Sequence, residues 1–323
     1  MAEPPGLAEE TIPAGEAAVV ARFIAFLKAA TARRYPAGAR KRFNQPRATA
    51  CVHAEFDVAD GLPSDLRVGL FERPGSYRAV IRFANASSAG DRERDIRGMA
   101  IRVRDVGGEN LTPGEASMDF VLNSHPVMMA ADTRSFMELL EANEAGGLRR
   151  TMYFLTHPKA LRIATAARSN PTCHLDLTYW STTPYLFGPG RAVKYVVIPG
   201  TAVRSPMPPS LTDDYLTQAI RARLGQSEAT FDFAVQFQTD SRRMPIEDAS
   251  VEWRERDSPY VRVARVRIPP QVPGDAGLDE ACERMSFNPW HCRPEHRPLG
   301  SMNRARREIY PALAAFRAET VGT

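Results

Sequence analysis

Eight short segments of similar character set the kind of fold this chain can adopt. ATACVHAEF, YRAVIRFA, GMAIRVRDV and SMDFVLNS come first; HLDLTYWST, AVKYVVIPG, ATFDFAVQFQ and VRVARVRI follow. All are rich in Val, Ile and Phe and partly alternate apolar with polar residues, as strands do when successive side chains point to opposite faces. Loops such as GDRERD and GGENLTPGE separate them. Eight strands with helices set among them predict an α+β chain built on an antiparallel eight-stranded β-barrel, with flanking and inserted helices. The barrel is expected over residues 47–270, and a barrel of this size can hold a ligand in its mouth or interior.

The remaining segments read as helices and connectors. Residues 1–14 form a flexible lead-in. Residues 15–34 carry Val19, Phe23, Phe26 and Leu27 at helical spacing. Residues 132–170 read as helical with a Gly–Gly break. DDYLTQAIRARL reads as a helix capped by Ser210 or Thr212. IPPQVPGD is a proline-rich connector, and residues 303–320 have a strong helical pattern. The 323 residues have 43% hydrophobic and 25% charged content, enough apolar material for a core that also encloses a cofactor.

The formal net charge of +4 is spread along the chain with no basic block, which argues against nucleic-acid binding. Cys51, Cys173, Cys282 and Cys292 form no CxxC pair, so reduced thiols and a cytoplasmic setting are expected rather than a disulfide framework or zinc site. No apolar stretch is long enough to span a bilayer. The acidic, proline-bearing start lacks the pattern of a secretory signal.

Three places carry chemistry. On a helix, Arg306 and Tyr310 lie four residues apart and share a face, and Arg317 follows two turns on. A guanidinium against a phenol favours the phenolate, a hard anionic ligand suited to ferric iron. His53 stands in a strand among Ala, Val and Phe, either as a core histidine or as an acid–base. Asn123 and His125 interrupt an apolar strand, and a buried amide there needs a partner. Met128 and Met129 read as pocket or core filling. The other histidines show no metal-ligand spacing.

Taken in order, these segments resemble the catalase superfamily of haem enzymes. The resemblance runs from about Phe43 to Arg317. It rests on VHA around His53, IRFAN followed by RDIRGMAIRV, DFVLNSHPV, FNP at Phe287–Pro289, and Arg306-x-x-x-Tyr310 with Arg317. It implies a barrel of catalase type and haem b, with Tyr310 as the iron ligand and Arg306 holding it as phenolate. It implies His53 as distal acid–base and Asn123 as distal amide, Arg82 and Arg317 on the haem propionates, Phe136 over the haem, and Val52 lining the channel.

Departures accompany it. Where catalases have an arginine three residues before the distal histidine, Ala50 stands, with Arg47 as a candidate replacement. Where they have a serine bonded to that histidine, Ala84 stands, leaving Asn85 or Ser87 to orient His53. GNNTP has become LNSHP, with Leu122 and His125 new. Together with the short length, these changes resemble the small catalase-related peroxidases of bacteria. The implied activity is a haem peroxidase that cleaves hydrogen peroxide or organic hydroperoxides, oxidises a small organic reductant and has weak catalase activity. A true catalase, a fatty acid hydroperoxide isomerase of the allene oxide synthase kind, and a non-enzymatic haem-binding module are the alternatives. The resemblance further implies a homodimer or homotetramer.

Overall fold

In the computed structural model, residues 5–87, 90–200 and 204–319 are described. Residues 1–4 of the expected lead-in, and Thr320 of the expected last helix, lie outside them. Eight antiparallel strands close a barrel. Four come from the first half: β1 (Arg47–Val58), β2 (Gly75–Asn85), β3 (Arg97–Val103) and β4 (Met118–Asn123). The second half supplies β5 (Tyr179–Trp180), β7 (Ala192–Pro199), β8 (Ala229–Phe237) and β9 (Val261–Ile268). The ring runs β5-β4-β3-β2-β1-β9-β8-β7 and closes where Tyr179 and Trp180 pair with Val197 and Val196. A two-residue strand, β6 (Tyr185–Leu186), adds to the flank of β7.

Alternation along each strand decides what lies inside. Val52, Ala54 and Phe56 of β1, Ile81 and Phe83 of β2, Met99 and Ile101 of β3, and Phe120 and Leu122 of β4 are buried in one cluster with Tyr195, Phe231 and Phe233. Phe56, Phe120, Tyr195 and Phe233 form successive ring contacts with centroids 4.7–5.8 Å apart. The interior is therefore a packed core, not the ligand chamber that a large barrel allows. Residues of opposite parity (Cys51, Arg82, Ala100, Val121 and Asn123) face outward from the wall.

Helices cover that outer face. α1 (Glu16–Arg34) packs Val19, Phe23 and Leu27 against α2 (Thr133–Ala145) and α7 (Ser301–Ala318). The expected helical stretch 132–170 is divided at its glycine pair into α2, α3 (Gly147–Thr156) and, past His157, α4 (Pro158–Ala167). Asp132 caps α2, its carboxylate accepting from the Ser135 amide. In α5 (Tyr215–Leu224) the N-cap position falls to Asp214 rather than Ser210 or Thr212; Thr212 instead donates its hydroxyl to the Asp214 carboxylate. α6 (Ala276–Arg284) lies beyond the proline-rich connector and was not foreseen. Its Cys282 is joined to Cys51 by a disulfide, which corrects the expectation of four reduced thiols; Cys173 and Cys292 are free and buried. The two bridged cysteines are far apart in sequence, so no local motif announces them. No helix among the described residues is long and apolar enough to cross a membrane.

Two histidines make the fold sensitive to acid. Burial pushes His174 down to about 3, with Arg97 adding to the effect, and His296 down to about 4. Unfolding returns each to about 6.5. The unfolded chain then binds protons that the folded one refuses, so stability falls as pH drops from about 6.5 towards 4. Each histidine contributes a slope of about 1.4 kcal/mol per pH unit in its window. Melting temperatures measured between pH 7 and 4.5 are expected to fall less steeply in His174→Asn than in the wild type; equal slopes would rule out this cause.

Candidate active site

A cavity of about 260 Å³ lies between the outer wall of β2–β4, the loop before β1, and helices α1, α2 and α7. One side is apolar, formed by Phe23, Leu27, Phe136, Met302, Ile309 and Leu313. α7 brings Tyr310 and, one turn earlier, Arg306 to this lining. The Arg306 guanidinium is aimed by hydrogen bonds to Thr183 Oγ1 (3.1 Å) and Asn303 Oδ1 (2.9 Å). The Tyr310 hydroxyl has no partner among the described residues. Pro311 follows it inside the helix and cannot donate to the Arg307 carbonyl, so one backbone hydrogen bond of the helix is missing beside this tyrosine.

α7 is held at its start. Gly300 takes φ 85° and ψ 161°, and its amide donates to Glu10 Oε1 (2.8 Å). Arg304 then bonds Glu10, Glu16 and Glu247 at 2.6–3.0 Å, tying the helix to α1 and to the loop that carries Glu247.

At another part of the lining stand Arg42, Arg82 and Arg317. Glu283 of α6 answers two of them, accepting from Arg42 Nη1 at 2.7 Å and from Arg82 Nη2 at 2.9 Å. Arg42 also donates to the carbonyls of Cys282 and Met285, at the end of α6. Desolvation pulls all three guanidinium pKa values down, that of Arg42 to about 9, with Arg82 as the next cause for Arg42. Arg317 has no hydrogen-bond or ion-pair partner among the described residues. Among the described residues, three cations face one carboxylate, which leaves two positive charges for a ligand to balance.

The polar group beside Asn123 is Gln45. Its Nε2 donates to Asn123 Oδ1 at 3.1 Å. Gly98, the β3 partner of Asn123, makes the room: a Cβ there would lie 2.2–2.4 Å from the Gln45 amide. Gln45 holds a positive φ of 55°, in the left-handed region where non-glycine residues are uncommon. Its amide N–H donates to the Ala86 carbonyl (3.1 Å), and its carbonyl accepts from Arg82 Nη2 (3.0 Å). His125 lines the same cavity half-buried, with its pKa lowered by burial, and its ring has no hydrogen-bond partner among the described residues.

Of the residues singled out in the sequence, Asn123, Arg82, Phe136, Arg306, Tyr310 and Arg317 are brought together on this cavity. His53 and Val52 are not. His53 is exposed on the outer face of β1, opposite Val80, and its backbone is bridged by Gln271 at 2.8–2.9 Å. β1 has run past the cavity by then, so His53 cannot serve there. Val52 points into the packed barrel interior. The residues named to orient His53 are engaged elsewhere, Asn85 with Arg97 and Asp91, and Ser87 with Asp95. Arg47 bonds the Asp213 carbonyl. The residues that sequence reasoning missed are Arg42, Gln45 and Glu283. The signal for the first two was present: Arg42 stands three residues before Gln45, the spacing that seemed to fail at Ala50 because VHA had drawn the match eight residues downstream.

No family model matches the chain. A catalase-related peroxidase of Mycolicibacterium paratuberculosis is 28% identical over 176 residues, covering 49% of this chain and 53% of that protein. The match thus spans about half the length of that curated relative. Among solved structures, a fungal catalase superposes with a TM-score of 0.68 at 14% identity, over 98% of this chain and 66% of its own. Catalase A from Saccharomyces cerevisiae gives 0.68 at 16% identity, over 99% and 68%. A bacterial catalase gives 0.67 at 14%, over 99% and 64%. The fold is that of the catalases.

Proposed function

We propose that this protein is a haem-dependent peroxidase that cleaves hydrogen peroxide or organic hydroperoxides and oxidises a small organic donor, with weak catalase activity. The observation that carries the reading is Tyr310, one helical turn after Arg306, on a cavity that also presents three arginines with two uncompensated positive charges. This donor set fits a haem b. A phenol oxygen suits ferric iron, the apolar lining suits a porphyrin, and two spare cationic charges suit two propionates. When bound, the haem supplies the redox chemistry.

The chain's own residues do the rest. Tyr310 would ligate the iron, and Arg306, one helical turn earlier and fixed by Thr183 and Asn303, brings a permanent positive charge to the same cavity. Arg82 and Arg317, with Arg42, would hold the propionates, and Glu283, paired with Arg42 and Arg82, offsets their mutual repulsion. Phe136 and Met128 shape the apolar wall. Asn123 offers an amide to the peroxide.

The relative's name and the catalase fold support peroxide as the substrate class. Adding haem to the purified protein is expected to yield a stoichiometric high-spin ferric spectrum. The loaded protein is expected to oxidise a phenolic dye with peroxide faster than it releases dioxygen. Absence of pigment uptake would end the haem reading, and vigorous gas evolution would favour a true catalase over a peroxidase.

A further inference from the structure

We infer that Gln45 and Asn123 form a non-ionising carboxamide clamp that binds a hydroperoxide undissociated. The inference rests on the peroxidase reading above and names the group that meets the substrate. Four observations converge on Gln45. It lines the cavity, and its Nε2 donates one hydrogen to Asn123 Oδ1. Its backbone is held at positive φ by bonds to Ala86 and Arg82. Gly98 leaves the space that its amide fills. A non-glycine residue kept in a disfavoured conformation by its surroundings marks a position where the side chain matters.

The direction of the amide–amide bond fixes what remains. Gln45 keeps Oε1 as an acceptor beside its second Nε2 hydrogen, and Asn123 keeps its Nδ2 hydrogens as donors. A hydroperoxide has one O–H to give and oxygen lone pairs to receive, so it matches this pair without losing its proton. An amide cannot take up a proton near neutral pH as an imidazole does, and His53 is too far along β1 to supply one. The ionisable groups around the cavity are Tyr310, Arg42, Arg82, Arg306, Arg317 and His125, with Glu283 among the arginines. Of these, His125 is the one whose ordinary range lies near neutrality, and burial lowers it.

The wall beside the clamp favours organic hydroperoxides over hydrogen peroxide. The clamp contributes the same two bonds to either, and the organic part gains contact with the neighbouring apolar wall of Val127, Met128 and Phe136.

The test uses haem-loaded protein and cyanide as a probe, because hydrogen cyanide must give up its proton to bind ferric iron and the visible spectrum reports binding without turnover. Gln45→His, which installs a base beside Asn123, is expected to accelerate cyanide association about 100-fold. Gln45→Leu is expected to leave that rate within about twofold and to raise KM for an organic hydroperoxide about tenfold, the loss of one hydrogen bond. A cyanide rate that falls tenfold or more in Gln45→Leu or in His125→Gln overturns the inference, since a proton acceptor would already be at work. So does an unchanged rate in Gln45→His when pigment is bound, which leaves the haem reading intact. Failure of every variant and the wild type to take up pigment overturns both.

Discussion

Tyr310→Phe is expected to lower haem affinity at least about 100-fold and to remove the high-spin ferric band, while leaving the apoprotein folded. Loss of groups that merely support a metal ligand already costs about 10–100-fold, and here the ligand oxygen itself is removed. The fold should tolerate the change because the Tyr310 hydroxyl bonds nothing among the described residues, while its ring packs against the apolar cluster of α1, α2 and α7 that phenylalanine would still meet. A stability change below about 1 kcal/mol is expected. Absorption titration with haem, beside a thermal melt of the apoprotein, separates the two effects. Unaltered haem affinity at unaltered stability would mean that α7 does not supply the iron ligand.

Gly300→Ala should act on the same helix through its backbone. With φ 85° and ψ 161°, Gly300 sits where side-chain-bearing residues almost never go. A Cβ added there would stand 2.4 Å from the Ile246 carbonyl oxygen, a backbone atom with no easy escape. Strain and clash together are expected to cost about 3 kcal/mol or more, seen as a fall of roughly 4 °C or more in melting temperature. The carbonyl of Gly300 also accepts from Asn303 and Arg304, so the first turn of α7 must shift with it. Haem uptake should weaken as well. A variant with wild-type melting behaviour would show that the chain rearranges freely at this point.

Much of the architecture was legible because strand alternation and helical spacing are local properties. VRVARVRI and ATFDFAVQFQ could hardly be other than β9 and β8, and Asn303 onward could hardly be other than α7. HLDLTYWST was legible only in part. His174–Asp176 turn as a short 3-10 segment, and only Tyr179–Trp180 pair as β5. Tyr310 and Arg306 were readable from a four-residue spacing on one helix. His53 misled because a strand tells which face a residue takes but not how far along that face the cavity extends. Its parity matched that of Cys51 and Arg82, and only the register, with His53 opposite Val80, places it beyond the site. Gln45 and Glu283 were invisible for a different reason. One lies in a loop with no periodicity, and the other belongs to a helix whose position depends on a partner far away in the chain.

The Cys51–Cys282 bridge also alters how the walls of the site find one another. It closes a covalent ring containing the whole barrel from β2 to β9, and it leaves α1 and α7 outside as two free tails. Both tails spring from a single junction, separated from it only by residues 35–50 and 283–300. The path that must be closed to bring them together is roughly eightfold shorter than the open chain would require, which spares about 2 kcal/mol of entropy. A backbone cut at the exposed end of α2, between Gly146 and Gly147, would fall within the ring, leaving both tails fastened to the same piece of covalent structure.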